Sequence, residues 1–117
     1  MRRDPRSFLW DARAAADAIV AFARGRSFDD YAGRLMFRSA VGRQFEIIGE
    51  ALNQLSRADP ALAAQIPDFR PVISFRNALI HGYAQIDDAE VWRAIEVGLP
   101  HLRARVAALL AELGETP

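Results

Sequence analysis

The chain of 117 residues contains no cysteine and no lysine, and it has only two histidines and two tyrosines. The absence of cysteine excludes disulfide bonds and thiolate chemistry. With the two histidines twenty residues apart, it also argues against a dedicated metal site, so we expect neither a metal nor a cofactor. Since every basic residue is arginine, each cation carries a planar fork that matches phosphate oxygens.

Long apolar runs are also missing. No uninterrupted apolar segment approaches the ~20 residues that a membrane-spanning helix needs. The start, Met1-Arg2-Arg3-Asp4-Pro5, does not have the pattern of a secretory signal. Hydrophobic residues make up 51% and charged residues 26% of the chain, as in ordinary globular proteins. We therefore expect one domain spanning residues 1–117, a cytoplasmic location and no membrane partner.

The net charge is zero, but the charge is unevenly distributed. Residues 1–43 have a balance of +4, and residues 44–117 have a balance of −4. With no global basic field, an RNA ligand would need a local arginine patch or a subunit interface that gathers several arginines. The same asymmetry could favour self-association of the basic part with the acidic part. Simple composition bias towards arginine and alanine is the plainer interpretation.

Apolar residues recur at helical spacing along the chain, and no strand pattern competes with them. Residues 5–24 predict an amphipathic helix that begins at Pro5 and stops at Gly25. Ser27-x-x-Asp30 resembles a capping box and opens a second helix, whose apolar pattern runs through Leu35 and Met36 to about Arg57. Unbroken, this helix would be roughly 45 Å long.

The second helix contains three glycines and a line of charged residues. The glycines, Gly33, Gly42 and Gly49, each lower the stability of a helix. Glycines inside a helix usually mark a place where another helix packs closely. Arg43, Glu46 and Glu50 fall on one side of the helix. This polar line is either a solvated, salt-bridged face or a means of orienting a functional residue elsewhere, with Glu50 or Glu46 facing Arg76.

The second half of the chain continues the helical pattern. Asp59-Pro60 opens a short turn over residues 61–66, and the next helix runs from about residue 68 or 71 to His81. Asp87-x-x-Glu90 opens the last helix, which Pro100 should kink and Gly114 should stop. We therefore predict an all-α, up-and-down bundle of four main helices plus one short helix.

Polar residues with chemical potential concentrate in Arg76-Asn77-Ala78-Leu79-Ile80-His81-Gly82-Tyr83. In a helix, Arg76 and His81 lie about 140° apart around the axis and roughly 7.5 Å apart along it, so both can reach one surface. Gly82 is suited to end the helix, which leaves Tyr83 free to fold back beside His81. By contrast, His101 has no such neighbours in sequence, and we interpret it as a surface or packing histidine.

This set of side chains suits cleavage of a phosphodiester that has a neighbouring 2′-hydroxyl. Histidine can take and return a proton near neutral pH. Arginine supplies a fixed cation that matches phosphate oxygens, and neither role requires a metal. The alternative is an ordinary helix end, with His81 capping the last turn and Arg76 in a surface ion pair.

Arg76-x4-His81-x-Tyr83 resembles the signature of HEPN-domain ribonucleases. The ordered surroundings are more specific, and they resemble the HepT-like toxins: Ile47-Ile48-Gly49-Glu50-Ala51, Arg76-Asn77, His81-Gly82-Tyr83, Val91-Trp92 and Leu99-Pro100-x-Leu102. The resemblance runs from about Phe28 to Leu102. In one departure, the family often has a Pro-Trp pair before the arginine helix, where this chain has Ile66-Pro67-Asp68-Phe69.

The resemblance implies a metal-independent endoribonuclease, the toxin of a two-gene toxin–antitoxin system. Its catalytic residues would be Arg76 and His81, with Asn77 and Glu50 in supporting roles. Its partner would be a minimal nucleotidyltransferase antitoxin of the MntA type, which attaches AMP groups to the motif tyrosine, here Tyr83. We also expect a homodimer or a higher oligomer. The competing hypothesis is a non-catalytic helical protein that only binds a nucleotidyltransferase.

Overall fold

The computed structural model describes residues 3–66 and 87–114. Every regular element in these ranges is helical, which confirms the predicted all-α bundle. The helices are α1 (Pro5–Ala23), α2 (Phe28–Gly33), α3 (Leu35–Ala58), α4 (Pro60–Ala63), α5 (Asp88–Arg93) and α6 (Leu99–Leu113), with a π-helical turn, Ala94–Gly98, between α5 and α6. The helix predicted to end at His81 lies outside the described residues.

Helix α1 begins and ends where the sequence predicts. The carboxylate of Asp4 caps it by accepting a hydrogen bond from the backbone N–H of Arg6 at 3.0 Å. Pro5 occupies the first helical position, where its missing N–H would have no partner in any case. Gly25 follows the helix with φ of 72°, a conformation that glycine adopts without the steric cost of a Cβ.

The prediction of one long second helix is wrong, because the helix is interrupted at Arg34. Ser27 and Asp30 do form the predicted capping box at the start of α2: Ser27 Oγ accepts from the Asp30 N–H at 3.2 Å, and the Asp30 carboxylate accepts from the Ser27 N–H at 2.9 Å. Helix α2 nevertheless ends at Gly33, and Arg34 is extended, with φ of −126° and ψ of 109°. Two helices therefore replace one.

A side chain from α3 stabilises this break. The guanidinium of Arg38 donates hydrogen bonds to the carbonyl oxygens of Tyr31 and Ala32, which lie at the end of α2. Carbonyls at a helix end have no partner within the helix, so a cation there satisfies them and complements the helix dipole. Gly33 also has the weakest helix propensity of any residue except proline.

The glycines of the second helical region differ in environment. A Cβ added at Gly33 would contact nothing within 4 Å, so the prediction of close packing is wrong at this position. Gly42 and Gly49, in contrast, are buried in α3. The predicted apolar stripe also needs correction at its start, because Leu35 and Met36 are 69% and 87% exposed.

Pro100 is accommodated by a π-helical turn. The Leu99 N–H donates to the carbonyl of Ala94, five residues earlier, and α6 then starts with Pro100 at its second position. A proline inside a helix lacks one backbone donor and clashes with the carbonyl four residues before it. The sequence predicts a kink at Pro100, and the structure has a π-helical turn directly before it. Gly114 ends α6 with φ of 81°, as predicted.

The centre of the bundle is where α1 packs against α3 and α6. Its largest fully buried side chains are all aliphatic: Leu9, Ile19, Val41, Ile48, Leu52, Leu55, Val106, Leu109 and Leu110. Burial of each such side chain contributes roughly 1.5–3 kcal/mol before the entropy cost of folding. Of the helices in the two described ranges, none is both long and apolar enough to cross a membrane.

Candidate active site

The motif side chains predicted to act on RNA, Arg76, Asn77, His81 and Tyr83, lie outside the described residues. What the structure defines is the chain on either side of the motif and the helix α3 that carries Glu50. The segment leaves the described structure after Ile66, which is buried, and returns at Asp87, which is exposed. These two points are the anchors of the candidate site.

The upstream anchor is held by α4 and α6. Asp59 caps α4 by accepting from the Leu62 N–H at 3.0 Å, which confirms the predicted Asp-Pro start. The side chain of Arg105 in α6 donates from Nε to the backbone carbonyl of Gln65 at 2.8 Å. Ile66 itself is only 4% exposed. The last residues before the undescribed segment are therefore fixed by both packing and hydrogen bonds.

The downstream anchor begins with a helix cap. Asp87 caps α5 by accepting from the Ala89 N–H at 2.9 Å, as predicted. In a full capping box the Glu90 carboxylate would also accept a hydrogen bond from the Asp87 N–H, and that bond is not formed in the described part of the chain. Helix α5 packs against α2. The element that follows the motif is thus fixed to the helix that precedes α3.

An aromatic cluster joins α2, α3 and α5, and sequence reasoning missed it. The ring centroid of Tyr31 lies 5.5 Å from that of Phe37 and 5.8 Å from that of Trp92, and Phe37 and Trp92 are 6.2 Å apart. Phe37 meets the other two rings edge to face, and the rings of Tyr31 and Trp92 are tilted by 38° to each other. Aromatic pairs at such distances contribute ~0.5–1.5 kcal/mol beyond the buried area. The signal in the sequence is one aromatic residue on each side of Gly33-Arg34, namely Tyr31 before it and Phe37 after it.

Tyr31 is buried in this cluster, with 3% of its surface exposed. Burial raises the pKa of its hydroxyl to about 12, because the charged phenolate would lose hydration. The negative charge of Asp88 raises the pKa further, and the positive charge of Arg38 opposes the shift. Tyr31 is therefore a neutral, structural residue at physiological pH.

The polar line of α3 divides into two hydrogen-bonded pairs. Arg43 Nη1 lies 3.4 Å from Glu46 Oε2, and the Arg43 side chain is 68% exposed. This pair fits the solvated, salt-bridged face. Glu50 is half-buried, and its Oε1 accepts a hydrogen bond from Gln54 Nε2 at 2.7 Å. The proposed partner of Glu50, Arg76, lies outside the described residues, so its orienting role stays a prediction.

His101 is exposed on α6 beside Pro100, which confirms that it is a surface histidine. Over residues 3–66 and 87–114, no three side chains of histidine, aspartate or glutamate lie together as a metal site would require. The expectation of metal-independent chemistry therefore rests on the sequence and the motif.

Comparison with known proteins identifies the family. The family model described as "Ribonuclease HepT-like" matches residues 12–109. A protein from Thermococcus cleftensis named "Probable ribonuclease HepT" is 30% identical over 93% of this chain and 98% of its own length. "Putative RNase MJ1380" from Methanocaldococcus jannaschii is 29% identical over 90% of this chain and 95% of its own. No solved structure matches. The chain belongs to the HepT-like ribonuclease family.

Proposed function

We propose that this protein is an endoribonuclease that cleaves RNA without a metal ion, with Arg76 and His81 as its catalytic residues. The observation that carries the proposal is Arg76-x4-His81-x-Tyr83, placed inside the region that matches the HepT-like ribonuclease family. The names of the relatives point in the same direction. The whole of residues 1–117 would form one domain of this kind.

The proposed reaction is an internal transesterification. His81 removes the proton of a 2′-hydroxyl, and the 2′-oxygen then bonds to the adjacent phosphorus. The bond from phosphorus to the 5′-oxygen breaks, and that oxygen takes up a proton as it leaves. The forked guanidinium of Arg76 stabilises the negative charge that develops on the phosphate oxygens. No metal is needed at any of these steps.

Two residues have supporting roles in this proposal. Asn77, next to Arg76 in sequence, holds a phosphate oxygen or the substrate hydroxyl. Glu50 orients Arg76 from α3, where its carboxylate is half-buried and already accepts a hydrogen bond from Gln54. A carboxylate held in this way loses little additional side-chain entropy when it binds a guanidinium.

We also propose a homodimer in which two copies of the motif face one cleft. One motif supplies a single group that transfers protons near pH 7, whereas the reaction needs a base for the 2′-hydroxyl and an acid for the leaving oxygen. His81 of the partner subunit would supply the acid. The opposite charge balances of residues 1–43 and 44–117 favour such an association.

In the cell, this ribonuclease would be the toxin of a two-gene toxin–antitoxin system in the cytoplasm. Its antitoxin would be a minimal nucleotidyltransferase that attaches AMP to Tyr83. The phosphate of that AMP would occupy the guanidinium of Arg76, the group proposed to bind the RNA phosphate. The alternative function, a non-catalytic binding partner of a nucleotidyltransferase, requires none of the three motif side chains.

Cleavage of RNA by the purified protein separates these two functions. We expect the wild type to cleave labelled single-stranded RNA in the presence of a metal chelator, and His81→Ala to lose at least ~99% of the activity, as removal of a general base does. His101→Ala is the matched control, because it removes the chain's other histidine, which is exposed on α6. Equal activity of wild type and His81→Ala would exclude His81 from the mechanism.

A further inference from the structure

An open groove lies where the end of α1 meets the start of α3. It has a volume of about 680 Å³. We call it the basic apolar groove, and the residues that give it its character are Phe22, Arg24, Arg26, Arg34, Leu35 and Met36. The site predicted from the motif does not include any of them.

The apolar side of the groove is unusually exposed. Met36 is 87% exposed, Leu35 is 69% exposed and Phe22 is 39% exposed. Single exposed apolar residues are common, but large ones gathered around one concave surface usually mark a binding site. Covering these side chains would recover ~25 cal/mol for each Å² of apolar surface removed from water.

The charged side of the groove carries one sign only. Arg24, Arg26 and Arg34 line it without any carboxylate, and none of the three forms an ion pair with a residue of the described ranges. The nearby Asp30 is already engaged by its capping box. Hydrogen bonding from the Ser27 backbone lowers the pKa of Asp30, and the charges of Arg34 and Arg26 lower it further.

This composition is that of a protein-binding surface. Arginine, methionine and aromatic residues are enriched at the centres of interfaces, whereas acidic residues are depleted there. An amphipathic helix binds such a groove through apolar residues at positions i, i+3, i+4 and i+7. Arg24, Arg26 and Arg34, which form no ion pair within the described ranges, favour carboxylates on the flanks of that helix.

We propose that the basic apolar groove binds an acidic amphipathic helix of a partner protein. The apolar face of the partner helix packs between Phe22 and the pair Leu35 and Met36. Its carboxylates meet the guanidinium groups on the rim. This interaction is independent of the proposed ribonuclease reaction, since it uses no residue of the motif.

Two other occupants fit the groove less well. A second copy docked by two-fold symmetry would bring the three arginines of one subunit against the same three of the other, and this repulsion opposes association. Single-stranded RNA would meet the charge requirement, but it binds by stacking its bases on aromatic rings. The most exposed side chains here, Leu35 and Met36, are aliphatic.

Binding of three labelled probes to the full-length protein tests the proposal. The first is an 18-residue helical peptide with leucines at i, i+3, i+4 and i+7 and glutamates on the flanks. The second replaces each glutamate with lysine, and the third is a single-stranded RNA. We expect the acidic peptide to bind below about 100 µM, with the lysine peptide at least tenfold weaker. Failure of the acidic peptide to bind, or equal binding of both peptides, overturns the proposal.

Variants locate the binding surface. Leu35→Asp with Met36→Asp should weaken binding of the acidic peptide at least tenfold, whereas Val97→Asp, at a 56% exposed position outside the groove, should not. Replacing Arg24, Arg26 and Arg34 with glutamate should reverse the preference towards the lysine peptide. Arg57→Glu, exposed near the other end of α3, is the charge control and should leave the preference unchanged.

Three further outcomes would contradict the proposal. The first is peptide binding that responds equally to the groove variants and to their controls. The second is RNA binding that depends on the three arginines and is indifferent to Leu35 and Met36, which would make the groove an RNA site. The third is self-association that Leu35→Asp with Met36→Asp abolishes, which would assign the groove to a second copy.

Discussion

The ring of Tyr31 in α2 lies 5.8 Å from the ring of Trp92 in α5, and this contact joins elements on opposite sides of the motif in sequence. Phe37, at the start of α3, contacts both rings edge-on. The cluster therefore holds together the start of α3, which carries Glu50 further along, and the helix where the chain returns from the motif. Stability measured at this cluster reports on how firmly α2, α3 and α5 are held together.

The first prediction concerns alkaline pH. Because the chain has no lysine and no cysteine, tyrosines are the only side chains that titrate between about pH 9 and 12. In the folded state the pKa of Tyr31 is about 12, against an ordinary value of 10.0. Below pH 10 the hydroxyl is protonated in both states, and its contribution to stability is complete. Between pH 10 and 12 only the unfolded chain loses the proton, so stability should fall by roughly 2 kcal/mol.

Urea unfolding at pH 9, 10, 11 and 12 measures this change. Tyr31→Phe should remove most of the pH dependence, because it keeps the ring and eliminates the ionisable group. Tyr83→Phe is the matched control, since it removes the chain's other tyrosine. A pH dependence that survives Tyr31→Phe and disappears in Tyr83→Phe would show that Tyr83 causes the effect, and it would contradict the prediction.

The second prediction compares two glycines that follow or end helices near each other in sequence. Gly25 has φ of 72°, so Gly25→Ala should destabilise the protein by about 1–2 kcal/mol. At Gly33 the backbone is not left-handed, and a Cβ would have open space around it. Gly33→Ala should therefore be neutral or stabilise by up to ~1 kcal/mol, because alanine restricts the unfolded chain. Denaturation midpoints of the two variants measure the difference in stability. Equal destabilisation by Gly25→Ala and Gly33→Ala would contradict the proposed difference in backbone conformation between the two glycines.

Local signals in the sequence predicted the helix boundaries well. A capping box such as Ser27-x-x-Asp30 and a stop such as Gly25 or Gly114 depend on residues within one turn of the boundary. The break at Arg34 was missed because it depends on contacts between elements. Arg38 reaches back to the carbonyls at the end of α2, and α2 packs on α5, more than fifty residues later in the chain.

The same limit applies to the sites. The motif could be identified from sequence because Arg76, His81 and Tyr83 fall within eight residues of one another. The basic apolar groove could not, because Phe22 and Met36 come together only after the chain turns twice between α1 and α3. Leu35 and Met36 fall within the apolar pattern of the predicted second helix, and periodicity alone cannot show that they are 69% and 87% exposed.

The third prediction tests the geometry of the proposed arginine. Arg76→Lys should lose nearly as much RNA-cleaving activity as Arg76→Ala, because lysine keeps the charge and loses the bidentate fork. Single-turnover rates at saturating RNA measure the effect on the chemical step. Arg57→Lys, exposed on α3, is the control for replacing one arginine by lysine. A wild-type rate for Arg76→Lys would mean that Arg76 acts as a point charge or supports the structure.

The fourth prediction concerns the number of subunits. If His81 of the partner subunit supplies the acid, the active form is a homodimer, and activity per chain should fall as the protein is diluted below its dissociation constant. Sedimentation velocity across the same concentrations gives the dimer fraction. Mixing an excess of inactive His81→Ala with wild type should lower the activity per wild-type chain by forming mixed dimers. A monomer at micromolar concentration with full activity would exclude the shared cleft.

The last prediction concerns control at Tyr83. A phenolic hydroxyl can accept an adenylyl group without any change in the helices, and the added phosphate would compete for the guanidinium of Arg76. We expect wild-type protein incubated with a cognate nucleotidyltransferase and ATP to gain mass in AMP-sized steps, and to lose RNA binding while its helical content is unchanged. Tyr83→Phe should gain no mass, keep its ribonuclease activity and remain toxic when the partner is co-expressed. Tyr31→Phe is the matched control: Tyr31 is buried in the aromatic cluster, so the variant should be modified like wild type. An AMP-sized increment on Tyr83→Phe, or its absence from the wild type, would show that Tyr83 is not the site of control.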